Sequence, residues 1–405
     1  MTDASKPAAA AGPVADLRVI EMGQLIAGPF CGQLFADFGA EVIKVEPPGE
    51  GDPLRQWGQQ KIDGQSLWWP VIGRNKKSVT LNLREADGQE VIRELVKKSD
   101  VLIENFRPGT LERWTLGYEQ LRAINPRLVM IRVSGFGQTG PRAQEAGFGV
   151  IGEAMGGLRH VIGDPDRPPA RAGISIGDSL AATFACLGGM MAIHARGRTG
   201  RGQVVDSAIY EAVLAMMESL VSEYDKTGYM RERTGATLPK VAPSNVYPCS
   251  DGTVLIAGNQ DNVFRRLAQG IGQPELATDP RFATHVERGE RQAELDAIIA
   301  AWTKLHTIDQ VIAVMNDSGV PAGKIYRPSD MMDDPHFKAR EAIVRVAHKT
   351  FGDVAMQNVV PKLSETPGSV RSTGPELGEH NDEIYRGLLG FDDARLNDLK
   401  SRGVI

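Results

Sequence analysis

Between Arg18 and Gly135, short β-branched runs alternate with segments of helix length. "RVIEMG" (18–23) precedes "GPFCGQLFADFG" (28–39) and "EVIKVE" (41–46). "KSVTLNL" (77–83) then precedes "EADGQEVIRELVKKSD" (85–100), "VLIENF" (101–106) and "LVMIRVSG" (128–135). Parallel strands need long crossovers, usually helices, so this alternation predicts βαβ units and an α/β fold around a mostly parallel sheet. Ligands of such sheets bind beyond the carboxyl ends of the strands. The loops at those ends, "EPPGEGDP", "ENFRPG" and "SGFGQTGP", are rich in Gly and Pro, and a site is expected among them.

A chain of 405 residues is long enough for two or three domains and a large buried core. With 41% apolar and 24% charged residues it reads as a soluble globular protein. A formal net charge of −5 gives no reason to expect nucleic acid or an anionic membrane as partner. Cys31, Cys186 and Cys249 lie far apart with no C-x-x-C pair, which suggests neither a disulfide framework nor a zinc site and fits a reducing, cytoplasmic location. The Ala/Pro-rich opening, 1–16, lacks the basic start and apolar centre of a signal peptide and is expected to be a disordered leader.

No apolar run reaches membrane-spanning length on this reading, and "SLAATFACLGGMMAIHARG" (179–197) is expected to be a helix buried nearly all round. Dense punctuation over 235–252, a strand-like "TVLIAG" (253–258) and three helical runs mark a second domain. The expected organisation is a large domain over 1–222, a small α+β domain over 223–329, and a C-terminal part, 330–405, rejoining the large domain.

Two motifs invite a function and do not sustain it. "GFGQTG" (135–140) has the glycine spacing of a dinucleotide loop, but Pro141, Gly147 and Gly149 interrupt the helix that must follow. "GISIG" (173–177) matches G-x-S-x-G, yet Ser175 stands between Ile174 and Ile176, which favours extended chain over the sharp turn of a nucleophilic serine. Ser175 is therefore expected in a strand. The histidines, at 160, 194, 285, 306, 336, 348 and 380, show no H-x-x-x-H spacing, so no metal site is expected.

One carboxylate stands out. Asp178 lies between an apolar run and a long stretch of small and apolar residues, where an unpaired buried acid is costly. Two readings remain open. Gly-Asp-Ser before an apolar helix is what an N-cap looks like, and a carboxylate kept ionised by a helix N-terminus is what a nucleophile requires. The basic residues of "RNKK" (74–77), Arg84, Arg107, Arg113 and "RGRTGRG" (196–202) singly fit solvated loops, but several near strand ends would suit a phosphorylated anion.

"AGPFCGQLFADFGAEVIKVEPPGEGD", "RNKKSVTLNL", "ENFRPGTLERWTLGYEQLRAINPRLVMIRVSGFGQTGP", "GDS" and "TGRGQVVD" follow one another within a resemblance that runs from about residue 17 to "LGEHNDEIYRGLLG". Together they resemble the family III CoA-transferases, which include formyl-CoA transferase and the α-methylacyl-CoA racemases. The resemblance implies a Rossmann-like large domain built from both chain ends, a smaller inserted domain and an interlocked homodimer. It implies no permanently bound cofactor: a coenzyme A thioester is the substrate, and a small carboxylic acid the acceptor. The family's nucleophilic aspartate falls on Asp178, which would pass through an anhydride and an aspartyl-CoA thioester. CoA contacts fall by motif position on Ile26, Ala27, Leu81, Arg84, Asn105, Phe106, Arg107 and Arg113, while Pro47 stands where formyl-CoA transferase has an arginine.

The departures narrow the expectation. Where the racemases carry a histidine this chain has Phe148, and Phe with Asp cannot supply two proton-transfer groups. "GATLPKVAPSNVYP" does not reproduce the Gly-rich run of formyl-CoA transferase. The chain looks closest to members that move CoA from succinyl-CoA to dicarboxylic acids. A second carboxylate needs a cation, for which Arg55, Arg74, Arg142 and Arg171 are candidates, with Gly137, Gln138 and Phe148 as loop residues near the substrate. A racemase or epimerase, or a CoA-thioester-binding protein without catalysis, are the alternatives.

Overall fold

The computed structural model describes residues 12–405. Its centre is a six-stranded, all-parallel sheet. The strands are β1 (Arg18–Glu21), β2 (Glu41–Glu46), β3 (Lys76–Thr80), β4 (Val101–Glu104), β5 (Val129–Ser134) and β6 (Val204–Ala208). Their spatial order is β3-β2-β1-β4-β5-β6, the 3-2-1-4-5-6 order of a doubly wound sheet. The pairing is in register from Val19 with Val42 on one side to Val19 with Val101 on the other.

Helices cover both faces of the sheet, so the strands are largely buried, the charged Lys44, Glu46, Lys76 and Arg132 within them included. Ile20, Ile43, Leu102 and Met130 face one core with α2 (Ala86–Val96), α3 (Tyr118–Ile124) and the C-terminal residues Tyr385, Leu396 and Val404. Val19, Val42, Val101 and Ile131 face the other, with α1 (Ala27–Asp37), α5 (Ile176–Thr199) and α6 (Ile209–Leu214). Between them in sequence, α4 (Gly149–Met155) packs against α5 and α6.

Three expectations need correction. Residues 1–11 of the expected leader lie outside the described residues, but Val14 is buried in the second core and its N–H donates to Phe38 O at 3.3 Å. The helix expected over 179–197 forms as α5 but is not buried all round. Small residues, Ala181, Ala185 and Gly189, lie against the sheet, while Leu187, Met190 and Met191 are exposed, Met191 by 61%. Finally, α5, at 24 residues, is long and apolar enough to cross a membrane by length and composition alone. Here it packs on the sheet instead: a Cβ on Gly189 would lie 2.6 Å from Ile131, and Ser207 Oγ donates to Ala181 O at 3.0 Å.

The chain divides into two compact units. One holds the chain up to Leu158, Ala172–Asp225 and Lys338–Ile405; the other holds Arg159–Arg171 and Lys226–Phe337. The changes of unit at Asp225/Lys226 and Phe337/Lys338 lie three and eight residues beyond the sequence boundaries at 222/223 and 329/330, and the excursion over Arg159–Arg171, punctuated by Gly163, Pro165, Pro168 and Pro169, was not anticipated. The second unit has an antiparallel sheet of β7 (Ser244–Cys249), β8 (Gly252–Ala257) and β9 (Ala322–Lys324), with its own core around Phe264, Leu267 and Ile299.

Candidate active site

The carboxyl ends of β1, β2, β3 and β4 surround a cavity of about 540 Å³. Its walls include Gln24, Pro47, Leu81, Arg84, Phe106 and Trp114. Leu81, Arg84 and Phe106 were expected to meet CoA and do line this cavity; Gln24, Trp114 and Gly403 were not anticipated. Gly403 arrives through the tertiary fold, since Asn82 N–H donates to Val404 O at 2.8 Å, and no local signal marks it. Phe106 and Trp114 meet edge to face, their centroids 5.4 Å apart.

Buried charges shape these walls. Glu104, at the end of β4, accepts from Arg132 Nε at 2.6 Å and from the Phe106 N–H at 2.7 Å. Arg132 also donates to Glu112 at 2.7 Å, so the 105–112 loop is fastened at both ends. Burial pushes the Glu104 carboxyl up to about 7, against the pull of Arg132. Asn105 brackets Gln24, accepting from its N–H and donating to its carbonyl, each at 2.8 Å. Ile26, the N-cap residue of α1, and Ala27, its first residue, are both buried. Arg107 and Arg113 are exposed on the neighbouring loop, where Arg113 donates to Thr110 at 3.0 Å.

Asp178 stands on the other face of the sheet's carboxyl end, in the first turn of α5. The N-cap of α5 is Ser175, and Asp178 is its third residue, so the capping reading of Asp178 fails. Ser175 is likewise not in a strand: "GISIG" is the loop-to-helix junction, and Ile176 already begins the helix. Apolar neighbours suggested extension, but tertiary packing of α5 sets the turn earlier. The Asp178 carboxylate lies directly over Gly149, where a Cβ would fall 2.3 Å from Oδ2. It therefore meets the N-terminal turn of α4, where backbone dipoles favour an anion.

Glycines make this approach possible. On α4, Gly149, Gly152 and Gly156 share a face; a Cβ on Gly152 would lie 2.4 Å from Ile209, and one on Gly156 2.6 Å from Val213. The G-x-x-G-x-x-x-G spacing was a legible signal for this close packing, and the sequence reading passed over it. Beneath, the buried Glu153 accepts from the Gly177 N–H at 3.4 Å. Phe148, the N-cap residue of α4, is 65% exposed beside Gly149.

The four candidate cations separate. Arg55 donates to Glu46 at 2.7 and 2.9 Å and stacks 3.8 Å over Trp69. Arg74 is buried against Asp37 at 2.5 Å and donates to Gln357 O at 2.6 Å. Both are committed to holding the fold. Arg142 is half exposed, stacked 4.6 Å over Phe136 and paired with Glu145 at 2.9 Å; Arg171 belongs to the other unit. Gly137 adopts a left-handed φ of +84°, and Gln138 N–H donates to Asp206 at 2.9 Å, which anchors that loop on β6. Burial pushes the thiols of Cys31 and Cys186 up, Cys186 to about 12, so neither is an activated nucleophile.

Residues 14–381 match CoA-transferase family III. Succinyl-CoA--D-citramalate CoA-transferase of Chloroflexus aurantiacus is 61% identical over 394 residues, 97% of this chain and 98% of that protein. The beta subunit of succinyl-CoA--L-malate CoA-transferase from the same organism is 41% identical over 397 residues, 97% of this chain and 98% of the relative. A CAIB/BAIF family protein from Brucella suis has a crystal structure that matches with a TM-score of 0.84 at 35% identity, covering 94% of this chain and all of that one. With the strand-end cavity and near full-length matches together, the chain belongs to the family III CoA-transferases.

Proposed function

We propose that this enzyme moves CoA from succinyl-CoA to a small dicarboxylic acid of the citramalate or malate class, with Asp178 as the covalent relay. The names of the relatives support the substrates. The observation that carries the relay is the seat of Asp178: a carboxylate that is not a cap, laid over a glycine at a helix N-terminus. An Asp178 oxygen attacks the donor's thioester carbonyl, the C–S bond breaks, and CoA leaves as thiolate from a succinyl-aspartyl anhydride. The thiolate attacks the aspartyl carbonyl carbon; the anhydride C–O bond breaks and succinate departs. The acceptor carboxylate then displaces CoA to form a second anhydride. Thiolate attack on the acceptor carbonyl yields the new thioester and restores Asp178. No proton is gained or lost, so no acid or base is required, in keeping with Phe148 at the racemase position.

On this reading the 540 Å³ cavity takes the nucleotide end of CoA, with Arg84, Arg107 and Arg113 near its phosphates. Of the four candidate cations, Arg142 remains for the second carboxylate. The large apolar side chains Leu187 and Met191, exposed one turn apart on α5, support a homodimer, since exposed apolar surface marks interfaces; sedimentation showing only a single-chain mass at micromolar concentration would end that part. The test of the relay is trapping: incubation with succinyl-CoA and no acceptor, then hydroxylamine, then peptide mass spectrometry. A hydroxamate on Asp178 is expected. A hydroxamate elsewhere, or turnover without one, refutes the assignment.

A further inference from the structure

Residues 23–29, the turn after β1 and the start of α1, carry Ile26 and Ala27 and present Gln24 to the cavity. Buried side chains from elsewhere hold its backbone. Lys44 Nζ donates to Gly23 O, Asp52 accepts from the Leu25 N–H at 3.1 Å, and Lys76 Nζ donates to Pro29 O at 2.6 Å. Leu25 is kept at φ +64°, a left-handed conformation that leucine adopts only under constraint. Asp52 also ties this turn to the chain after β2: it pairs with Lys44 at 2.7 Å, while its own N–H donates to Glu46, the last residue of β2, at 2.9 Å, and its neighbours Gly51 and Pro53 line the cavity.

Lys44, Lys76, Glu21 and Asp52 all have fully buried side chains. With Glu46 and Arg55 they make three acids and three bases. Apolar replacements of buried ion pairs are often neutral or stabilising, so stability alone does not account for such a cluster. A short strand-to-helix connection also closes without charged supports. What the cluster supplies is geometry on two cavity walls at once.

We propose that Lys44 and Asp52 are positioning residues for the acyl-CoA substrate. They clamp the 23–29 turn to the 47–52 loop and thereby set affinity for CoA, leaving the acceptor acid untouched. The proposal rests on the cavity being the CoA site.

The test is the double variant Lys44→Met with Asp52→Asn, which removes one base and one acid and leaves the cluster balanced. Folding is checked by circular dichroism, CoA affinity by calorimetry, and each substrate by steady-state kinetics. CoA Kd and succinyl-CoA KM are both expected to rise about tenfold, with acceptor KM within about twofold and kcat within about threefold. A folded variant with unchanged Kd and KM overturns the proposal, as does an equal rise in both substrates' KM or a fall in kcat alone. Should the double variant not fold, Leu25→Gly loosens the same turn without touching a charge. The same selective rise is expected there, and an unchanged CoA Kd overturns the proposal. Failure of the unmodified enzyme to bind CoA would instead refute the reading of the cavity.

Discussion

Two groups of carboxylates sit at the carboxyl end of one sheet and are treated in opposite ways. Glu21, Glu46 and Asp52 have fully buried side chains, each matched with a lysine or arginine between 2.7 and 3.1 Å away. Asp178 is only partly buried and is accommodated by removal of bulk: Gly149 leaves the space its oxygens occupy. The first group builds shape, since charges locked to one another cannot move or react. The second keeps a carboxylate reachable. Burial and charge thus mark the scaffold here, and glycine marks the seat of the proposed nucleophile.

Three experiments press on that contrast. The largest effect belongs to Asp178→Asn. Because Ser175 holds the cap position, the thermal midpoint should hardly change, while turnover falls by about 10³-fold or more, as for loss of other covalent nucleophiles. Retained turnover would remove Asp178 from the reaction. Next is Gly149→Ala, whose methyl would fall 2.3 Å from Asp178 Oδ2. Displacing the carboxylate by about an ångström predicts about a 10²-fold loss in kcat, with CoA affinity preserved. An unaffected kcat would mean that the glycine serves packing only.

The smallest effect tests the scaffold side. Glu104 has its carboxyl raised to about 7 by burial, so it binds its proton more tightly folded than unfolded. Its contribution to stability is full below the unfolded range near 4.5 and is lost as pH rises through about 7. Urea unfolding should show stability falling by at most about 1.4 kcal/mol per pH unit across that window. Glu104→Gln should flatten this slope. A slope unchanged by the substitution would assign the titration to another group.

Much of this was legible in the sequence, for reasons that are local. Short β-branched runs between helix-length segments mark the strands, and "EVIKVE" and "LVMIRVSG" occupy β2 and β5 almost residue for residue. Loops after such strands carry Gly and Pro, and three of the expected CoA contacts, Leu81, Arg84 and Phe106, line the cavity there. Other readings failed where distant residues decide. Ser175 has apolar neighbours and looked extended, yet packing of α5 on the sheet starts the helix one residue later. Arg55 and Arg74 looked free for a substrate, and their partners Glu46 and Asp37 lie 9 and 37 residues away.

The sequence by itself determined the alternation of strands and helices and the Gly/Pro loops at the strand ends, and it singled out Asp178 as the acid to test, because these depend on local periodicity, turn chemistry and motif order. Only the tertiary structure decided that Asp178 lies over Gly149, that Lys44 and Asp52 tie two walls together, and that Gly403 closes the cavity. Those are meetings of side chains and backbone far apart in the chain: a glycine spacing can announce close packing, but which distant groups pack there is set by the fold.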